Sequence, residues 1–222
     1  MVQKGAGKQK EARKEGAPEP KRRGRPRAYD PEAALHQAIE AFWKTGYSGT
    51  SLDDLAVATG MNRPSLYAAF GDKHALYLKS LHRYLEMGYV GMHEALAYDR
   101  PLDEGLMRVY EKSLSIYFSG KSDPRGCFAI GTATTEAVED PDIRAALAQG
   151  LSTLDKAFEA RIRAAHERGE LHDDADPEAL AVLASATLHT IAIRARAGTP
   201  RPELEKLARK AVNVICGKTG GG

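Results

Sequence analysis

The sequence predicts an all-α protein of about nine helices, a three-helix unit near the N-terminus followed by a larger helical bundle. Three observations carry this. Apolar residues recur at three- and four-residue spacing through most of the chain after residue 30. Asp30-Pro31, Asp140-Pro141 and Asp176-Pro177 each join a capping side chain to a proline that suits a first helical turn. Gly60 and Gly169 then stand where helical periodicity stops. At 222 residues the chain fits one or two domains with a real core.

Residues 1–27 hold ten Lys or Arg against three Glu and almost no large apolar side chain. Such a segment cannot bury enough surface to offset the entropy of ordering, so it reads as a disordered basic arm. The arm carries a surplus of +7 while residues 28–222 carry −5, which localises any polyanion contact to one end of the chain. Within it, Arg22-Arg23-Gly24-Arg25-Pro26-Arg27 resembles an AT-hook core, which assigns Arg23, Arg25 and Arg27 to a narrow minor groove. A solubilising tail is the alternative reading of the same composition.

From Asp30-Pro31, Leu35, Ala38, Ile39, Phe42 and Trp43 give a first helix to Thr45, with both aromatics expected in the core. Ser51 followed by Asp54 predicts a capping box for a second helix ending near Thr59, before Gly60. Asn62 and Pro64 start a third, on which Leu66 and Phe70 face back to Leu52, Leu55 and Ala56. Arg63, Pro64, Ser65, Tyr67 and Ala68 then point outward, as the reading face of a helix-turn-helix does toward a major groove. Of these, Arg63 is expected to read a base edge, guanine first. A plain αα-hairpin is the bland alternative.

Asp72 caps a long linking helix, expected to reach Tyr98, and Pro101 opens the next, to about Gly120. After a break at 121–126, Cys127 to Glu139 reads as a small-residue helix, and Asp140-Pro141 starts one to about Arg168. Small side chains either pack tightly or leave room for a ligand. Two further helices follow, with Leu180, Leu183, Ala184, Thr187, Leu188 and Ile191 on one apolar face, and Leu204, Leu207, Ala208, Ala211, Val212 and Ile215 on the other. Two copies of this hairpin, Asp176 to Ile215, would form a four-helix bundle and pair two half-sites about 34–36 Å apart. Packing inside one monomer is the other possibility. The boundaries are 1–27 for the arm, 28–75 for the helix-turn-helix unit, 76–217 for the helical bundle with its dimerising hairpin, and 218–222 for a flexible tail.

No constellation for catalysis is found: His-Glu-x-x-His, Gly-x-Ser-x-Gly, a Walker loop and a Rossmann glycine pattern are all missing, and no cofactor or metal is expected. Gly5-Ala6-Gly7-Lys8 lies in the arm without a preceding strand, and His166 and His172 lack a defined third ligand. Cys127 and Cys216 form no Cys-x-x-Cys pair, which fits a reducing compartment. The longest uncharged run, Ala179 to Ile193, is shorter than the roughly 20 residues a bilayer span needs. A cytoplasmic, nucleoid-associated protein without a membrane segment is expected. Cys127 follows Arg125-Gly126 at a helix start, where backbone N–H groups and a guanidinium would favour thiolate; a buried, inert thiol is the alternative.

Gly46-Tyr47, Thr50-Ser51-Leu52, Ala56, Thr59-Gly60-Met61, Ser65-Leu66-Tyr67, Phe70 and Lys73 together form a pattern similar to the DNA-binding domain of the tetracycline-repressor (TetR) family, from about Tyr29 to Leu78. Beyond Leu78 the likeness is one of helical layout. The resemblance implies a one-component, homodimeric transcriptional regulator, a repressor released from a palindromic double-stranded operator by a small-molecule effector or reactive species. It implies that Lys73 holds a DNA phosphate, joined by Thr50 and Tyr67 as further anchors. The segment from Gly126-Cys127 through Glu136 resembles one in a subset of these regulators, some of which respond to electrophiles or oxidants. An architectural DNA-binding protein using the arm is the alternative function.

Overall fold

The computed structural model describes Met1 and residues 30–120 and 124–218. The expectations for the arm, with Arg23, Arg25 and Arg27, and for the end of the tail lie outside the described residues. Among those residues the chain forms nine α-helices and no strand: α1 (Pro31–Thr45), α2 (Leu52–Thr59), α3 (Arg63–Phe70), α4 (Lys73–Ala95), α5 (Leu102–Tyr117), α6 (Phe128–Glu136), α7 (Pro141–Glu167), α8 (Pro177–Arg196) and α9 (Arg201–Ile215).

The starts follow the local chemistry read from sequence. Asp30, Asn62, Asp72, Asp140 and Asp176 each accept backbone N–H groups at the head of a helix, satisfying donors that have no partner inside it. Ser51 and Asp54 form the reciprocal capping box. Gly60, at φ 65° and ψ 17°, makes the left-handed turn between α2 and α3 that a side chain with a Cβ would resist.

Three helices end earlier than their composition suggests, and two of the three endings have an arginine as their cause. The linking helix stops at Ala95 and not at Tyr98: Arg100 Nη1 donates to the carbonyls of Glu94 and Ala95 at 3.1 and 3.2 Å and so satisfies the terminal acceptors. The small-residue helix stops at Glu136, three residues early, because Arg144 takes the carbonyls of Ala137 and Val138. The helix expected to run to Gly120 stops at Tyr117.

Two apolar clusters fill the molecule. One packs Met92, Leu106, Tyr110, Phe158, Leu188 and Val212 between α4, α5, α7, α8 and α9. The other packs Phe42, Trp43, Leu55, Leu66 and Phe70 of the first three helices against Leu76 and Tyr77, and it continues into Phe128 and Ala133 of α6 and Ile143 of α7. The helix-turn-helix unit therefore shares its core with the bundle, and a boundary at residue 75 cuts through one packed cluster. Phe42 and Trp43 are buried as expected.

Helix α8 departs from the single apolar face expected of it. Ala184, Leu188 and Ile191 are buried, while Leu183 on the predicted stripe, and Val182 and Ile193 beside it, are exposed. Pro177–Arg196 is also the one described helix long and apolar enough to cross a bilayer by composition; its inner face, packed into the first cluster, accounts for that composition.

Candidate nucleic-acid interface

Helix α3 is held from behind by Leu66 and Phe70, both buried, and at its start by Asn62, whose side chain accepts the Ser65 amide at 2.9 Å. That anchoring leaves Arg63, Pro64, Tyr67 and Ala68 exposed and Ser65 half-buried, on the outward face expected of them. Arg63 is not free on this face. Its Nε and Nη2 donate to Asp53 Oδ1 and Oδ2 at 2.8 and 2.5 Å, a bidentate pair across the turn from α2. Reading a guanine edge with the same fork requires that pair to open.

Lys73 is the first residue of α4, with Nζ 4.4 Å from the centroid of the Tyr47 ring. The aromatic face restrains the ammonium beside a helix N-terminus, where an anion is favoured by both. Burial, followed by the charges of Asp140, Asp72 and Glu136, raises the Tyr47 phenol above its ordinary value and keeps it neutral.

Thr50 does not fit the phosphate-anchoring role expected of its side chain. It is 1% exposed, and its hydroxyl donates to the Gly46 carbonyl at 2.5 Å and lies 2.7 Å from Thr45 Oγ1. The hydroxyl braces the turn between α1 and α2, and the exposed hydroxyl at this edge belongs to Ser51, the α2 cap.

A set of contacts ties this unit to the bundle through α6 and the segment before it. Tyr77 Oη and Thr132 Oγ1 lie 2.7 Å apart in the shared core, and Glu136 accepts from the Ser48 hydroxyl at 2.8 Å. Trp43 Nε1 donates to the Arg125 carbonyl at 3.3 Å, the Arg125 guanidinium stacks 3.9 Å from the Trp43 ring, and it pairs with Glu40 on α1. Arg196, from α8, donates to the same Arg125 carbonyl at 3.2 Å.

Arg196 also borders a cleft of about 310 Å³ between α6 and α8, lined by Cys127, Ile130, Gly131, Ala192 and Ile193 among others. Small residues of α6 leave this space, as the sequence allowed. Cys127 is the N-cap of α6, as expected, but its thiol is not activated. Burial pushes its pKa up, and the lowering by the Ile130 amide and by Tyr84 Oη, which donates to Sγ at 3.3 Å, does not cancel the rise. The guanidinium expected to favour thiolate is committed instead to Glu40, Ser119 and Trp43. Cys127 stays a candidate by position in the cleft and not by acidity.

For a metal, the described residues gather donor atoms of His74, Asp140 and Asp142 within 4.8 Å of one another. His74 Nε2 and Asp140 Oδ2 already satisfy each other at 2.9 Å, and His166 and His172 are not in this group.

A helix-turn-helix with its reading face outward, fused through a shared core to a helical bundle that carries a cleft, defines a DNA-binding regulator with an effector domain. Comparison with known proteins agrees. Residues 34–79 match the family of bacterial regulatory proteins of the tetR type, and residues 106–212 match the tetracyclin repressor-like C-terminal domain. The chain is 32% identical over 189 residues to the HTH-type transcriptional repressor ComR of Escherichia coli K12, covering 85% of this chain and 90% of ComR. Among solved structures, a cysteine-substituted CifR, a TetR family regulator complexed with 26 bp operator DNA, superimposes with a TM-score of 0.77 at 31% identity, over 85% of this chain and 98% of CifR. NemR of E. coli in its reduced form shares the fold, with a TM-score of 0.66 at 17% identity over 83% of this chain and 94% of NemR. The chain belongs to the tetR family of bacterial regulatory proteins.

Sequence reasoning missed Asp53 as the partner of Arg63, Tyr47 as the platform for Lys73, and Arg196 at the cleft. Each partnership joins residues on different elements, so periodicity carries no trace of it; the two acidic residues Asp53 and Asp54 at one helix start were the only available signal, and capping accounts for just one of them.

Proposed function

We propose that this protein is a homodimeric transcriptional repressor of the cytoplasm that binds a palindromic operator through α3 and is released by a small effector bound in the bundle. The observation that carries the reading is the outward face of α3, with Arg63, Pro64, Ser65, Tyr67 and Ala68 presented by buried Leu66 and Phe70. Arg63 reads a base edge, while Tyr67 and Lys73 hold phosphates and fix the register. Arg23, Arg25 and Arg27 add minor-groove contact from the arm. The repressor names of relatives such as ComR and the operator DNA held by CifR support this direction of action.

The exposed Val182, Leu183 and Ile193 of α8 and Val214 of α9 support the second copy as their partner, which would complete the four-helix bundle expected of this hairpin. An effector in the α6–α8 cleft touches Cys127 and Arg196, and Arg196 reaches the Trp43 end of α1 through Arg125. An effector that binds better to a form with this link broken lowers operator affinity by its differential binding energy. A reactive species acting on Cys127 would use the same route.

Selecting bound sites from random DNA tests the reading. A two-fold symmetric site with half-sites about one helical turn apart is the expected result; an unordered AT-rich pool bound only through residues 1–27 would replace the repressor with the architectural alternative. Operator affinity measured before and after mild peroxide or alkylation, with Cys127→Ser in parallel, tests the cysteine: equal loss in both proteins removes Cys127 from the mechanism.

A further inference from the structure

Arg161, on α7, is the largest fully buried side chain of the described residues, at 1% exposure. Its Nη2 donates to the Arg100 carbonyl at 2.8 Å, but its Nε and Nη1 are buried and have no hydrogen-bond partner among the described residues. Unpaired guanidinium donors in a protein interior are costly and call for an acceptor. Glu170, 3.8 Å away, does not supply it: Oε1 takes Arg168 Nε at 2.9 Å, and Oε2 takes the Leu102 amide at 2.7 Å.

A cleft of about 340 Å³ opens at this place, lined by Tyr98, Asp99, Arg100, Pro101, Arg168 and Glu170. Arg161 lies behind this lining: it hydrogen-bonds the Arg100 carbonyl, its Nη2 is 3.8 Å from Glu170, and its guanidinium carbon is 5.8 Å from the Tyr98 ring centroid. The Arg168 guanidinium lies at the same 5.8 Å from the same ring. Arg100 and Arg168 balance Asp99 and Glu170 along the cleft, and the buried Arg161 behind them adds one positive charge in excess.

We propose that this corner, formed by the turn between α4 and α5 and the C-terminal end of α7, binds a small organic monocarboxylate. The carboxylate meets Arg161 and Arg168, and the hydrocarbon part rests on Tyr98 and Pro101. The charge excess matches a single anion, and the exposed phenol ring gives an apolar platform that an inorganic ion would not use. The cleft volume is at the low end of the roughly 300–1,000 Å³ found for ligand clefts, which suits a small ligand. Reaching the covered nitrogens of Arg161 requires residues 98–101 to lift. That turn is held by Arg168 Nη1 on the Tyr98 carbonyl at 3.2 Å and by Arg161 on the Arg100 carbonyl, contacts that a carboxylate can replace. The site is separate from the Cys127 cleft, so it stands whether or not that cleft holds an effector.

Isothermal titration of the full chain with sodium benzoate at constant ionic strength, with inorganic phosphate as a second titrant, tests the proposal. The expected result is saturable benzoate binding, one per chain, weakened about tenfold or more in Arg161→Gln and in Arg168→Gln, as loss of a charge-assisted contact requires. Should Arg161→Gln not fold, Arg168→Gln and Tyr98→Ala decide the matter, since both side chains lie at the surface. Absence of saturable heat, phosphate binding in preference to benzoate, or unchanged affinity in Arg168→Gln and Tyr98→Ala overturns it.

Discussion

The Arg125 guanidinium stacks 3.9 Å from the Trp43 ring while the Arg125 carbonyl accepts from Trp43 Nε1, so one residue of the α5–α6 connection grips both the face and the edge of one indole. Glu40, one turn earlier on α1, pairs with the same guanidinium. The contact crosses from the bundle to the helix that braces the helix-turn-helix, and Arg196 at the α6–α8 cleft shares its carbonyl.

Replacing Arg125 by Ala removes the stacking and the ion pair together. A partly desolvated cation–π contact is worth about 0.5–2 kcal/mol and leaves Glu40 half-exposed, so a loss of about 1–3 kcal/mol in unfolding free energy is expected. Trp43 is the only tryptophan, which makes its fluorescence a direct probe of this contact during urea unfolding. An unchanged midpoint and unchanged emission would show that the stacking contributes nothing.

A second bridge is buried. Tyr77 Oη pairs with Thr132 Oγ1, and burial pushes the Tyr77 phenol up to about 12, against the lowering by Thr132. Thr132→Val leaves a buried hydroxyl without its partner, at a cost of about 1–3 kcal/mol. Adding Tyr77→Phe should return part of that loss, so the double mutant is expected to be more stable than the sum of the single changes predicts. Strict additivity in denaturant melts would mean that the two hydroxyls do not support each other.

The contrast between these bridges and the helix starts explains what was legible in the sequence. A cap such as Ser51–Asp54 or Asp140-Pro141 is written within four residues, and the apolar spacing of Leu66 and Phe70 fixes which side of α3 faces out. The pairs Arg63–Asp53, Trp43–Arg125 and Tyr77–Thr132 span 10, 82 and 55 residues, and only the packing of whole helices brings them together. The burial of Thr50 is hidden from the sequence for the same reason, since it depends on how the turn after α1 folds over it. Leu183 satisfied the α8 periodicity and still faces outward, because the pattern cannot tell a core face from one left for a partner.

Two caps contribute to the loss of stability in acid. Hydrogen bonds from Ser51 lower the Asp54 carboxyl below its ordinary 3.8, and the Ile143 amide, with His74, lowers Asp140 below the same value. Since the unfolded chain titrates near 3.8, their stabilisation is fully present above that pH and is lost as pH falls through the lower folded values. Asp54→Asn should therefore be less stable than the wild type at pH 6, and the gap should close on acidification below 3.8. A gap that stays constant from pH 6 to about pH 2 would mean that the Asp54 charge is not what the capping box uses.

The Arg63–Asp53 pair gives the reading face its sharpest test. Both side chains are more than half exposed, so the pair contributes little to folding, yet it occupies the fork that a guanine would need. Arg63→Ala is expected to weaken operator binding roughly 10- to 100-fold and to relax preference at one base pair of each half-site. Asp53→Ala should act in the opposite direction, by up to about fivefold, because the guanidinium no longer leaves a partner before it meets the base. The two changes separate base reading from phosphate contact: if Arg63 touches only phosphate, Arg63→Ala lowers affinity equally for operator and random DNA and reduces the salt slope by about one. Lys73→Gln is the internal reference, expected to show that uniform loss and reduced slope, since an ammonium held over Tyr47 at the start of α4 and proposed to meet a phosphate would position the protein without reading sequence.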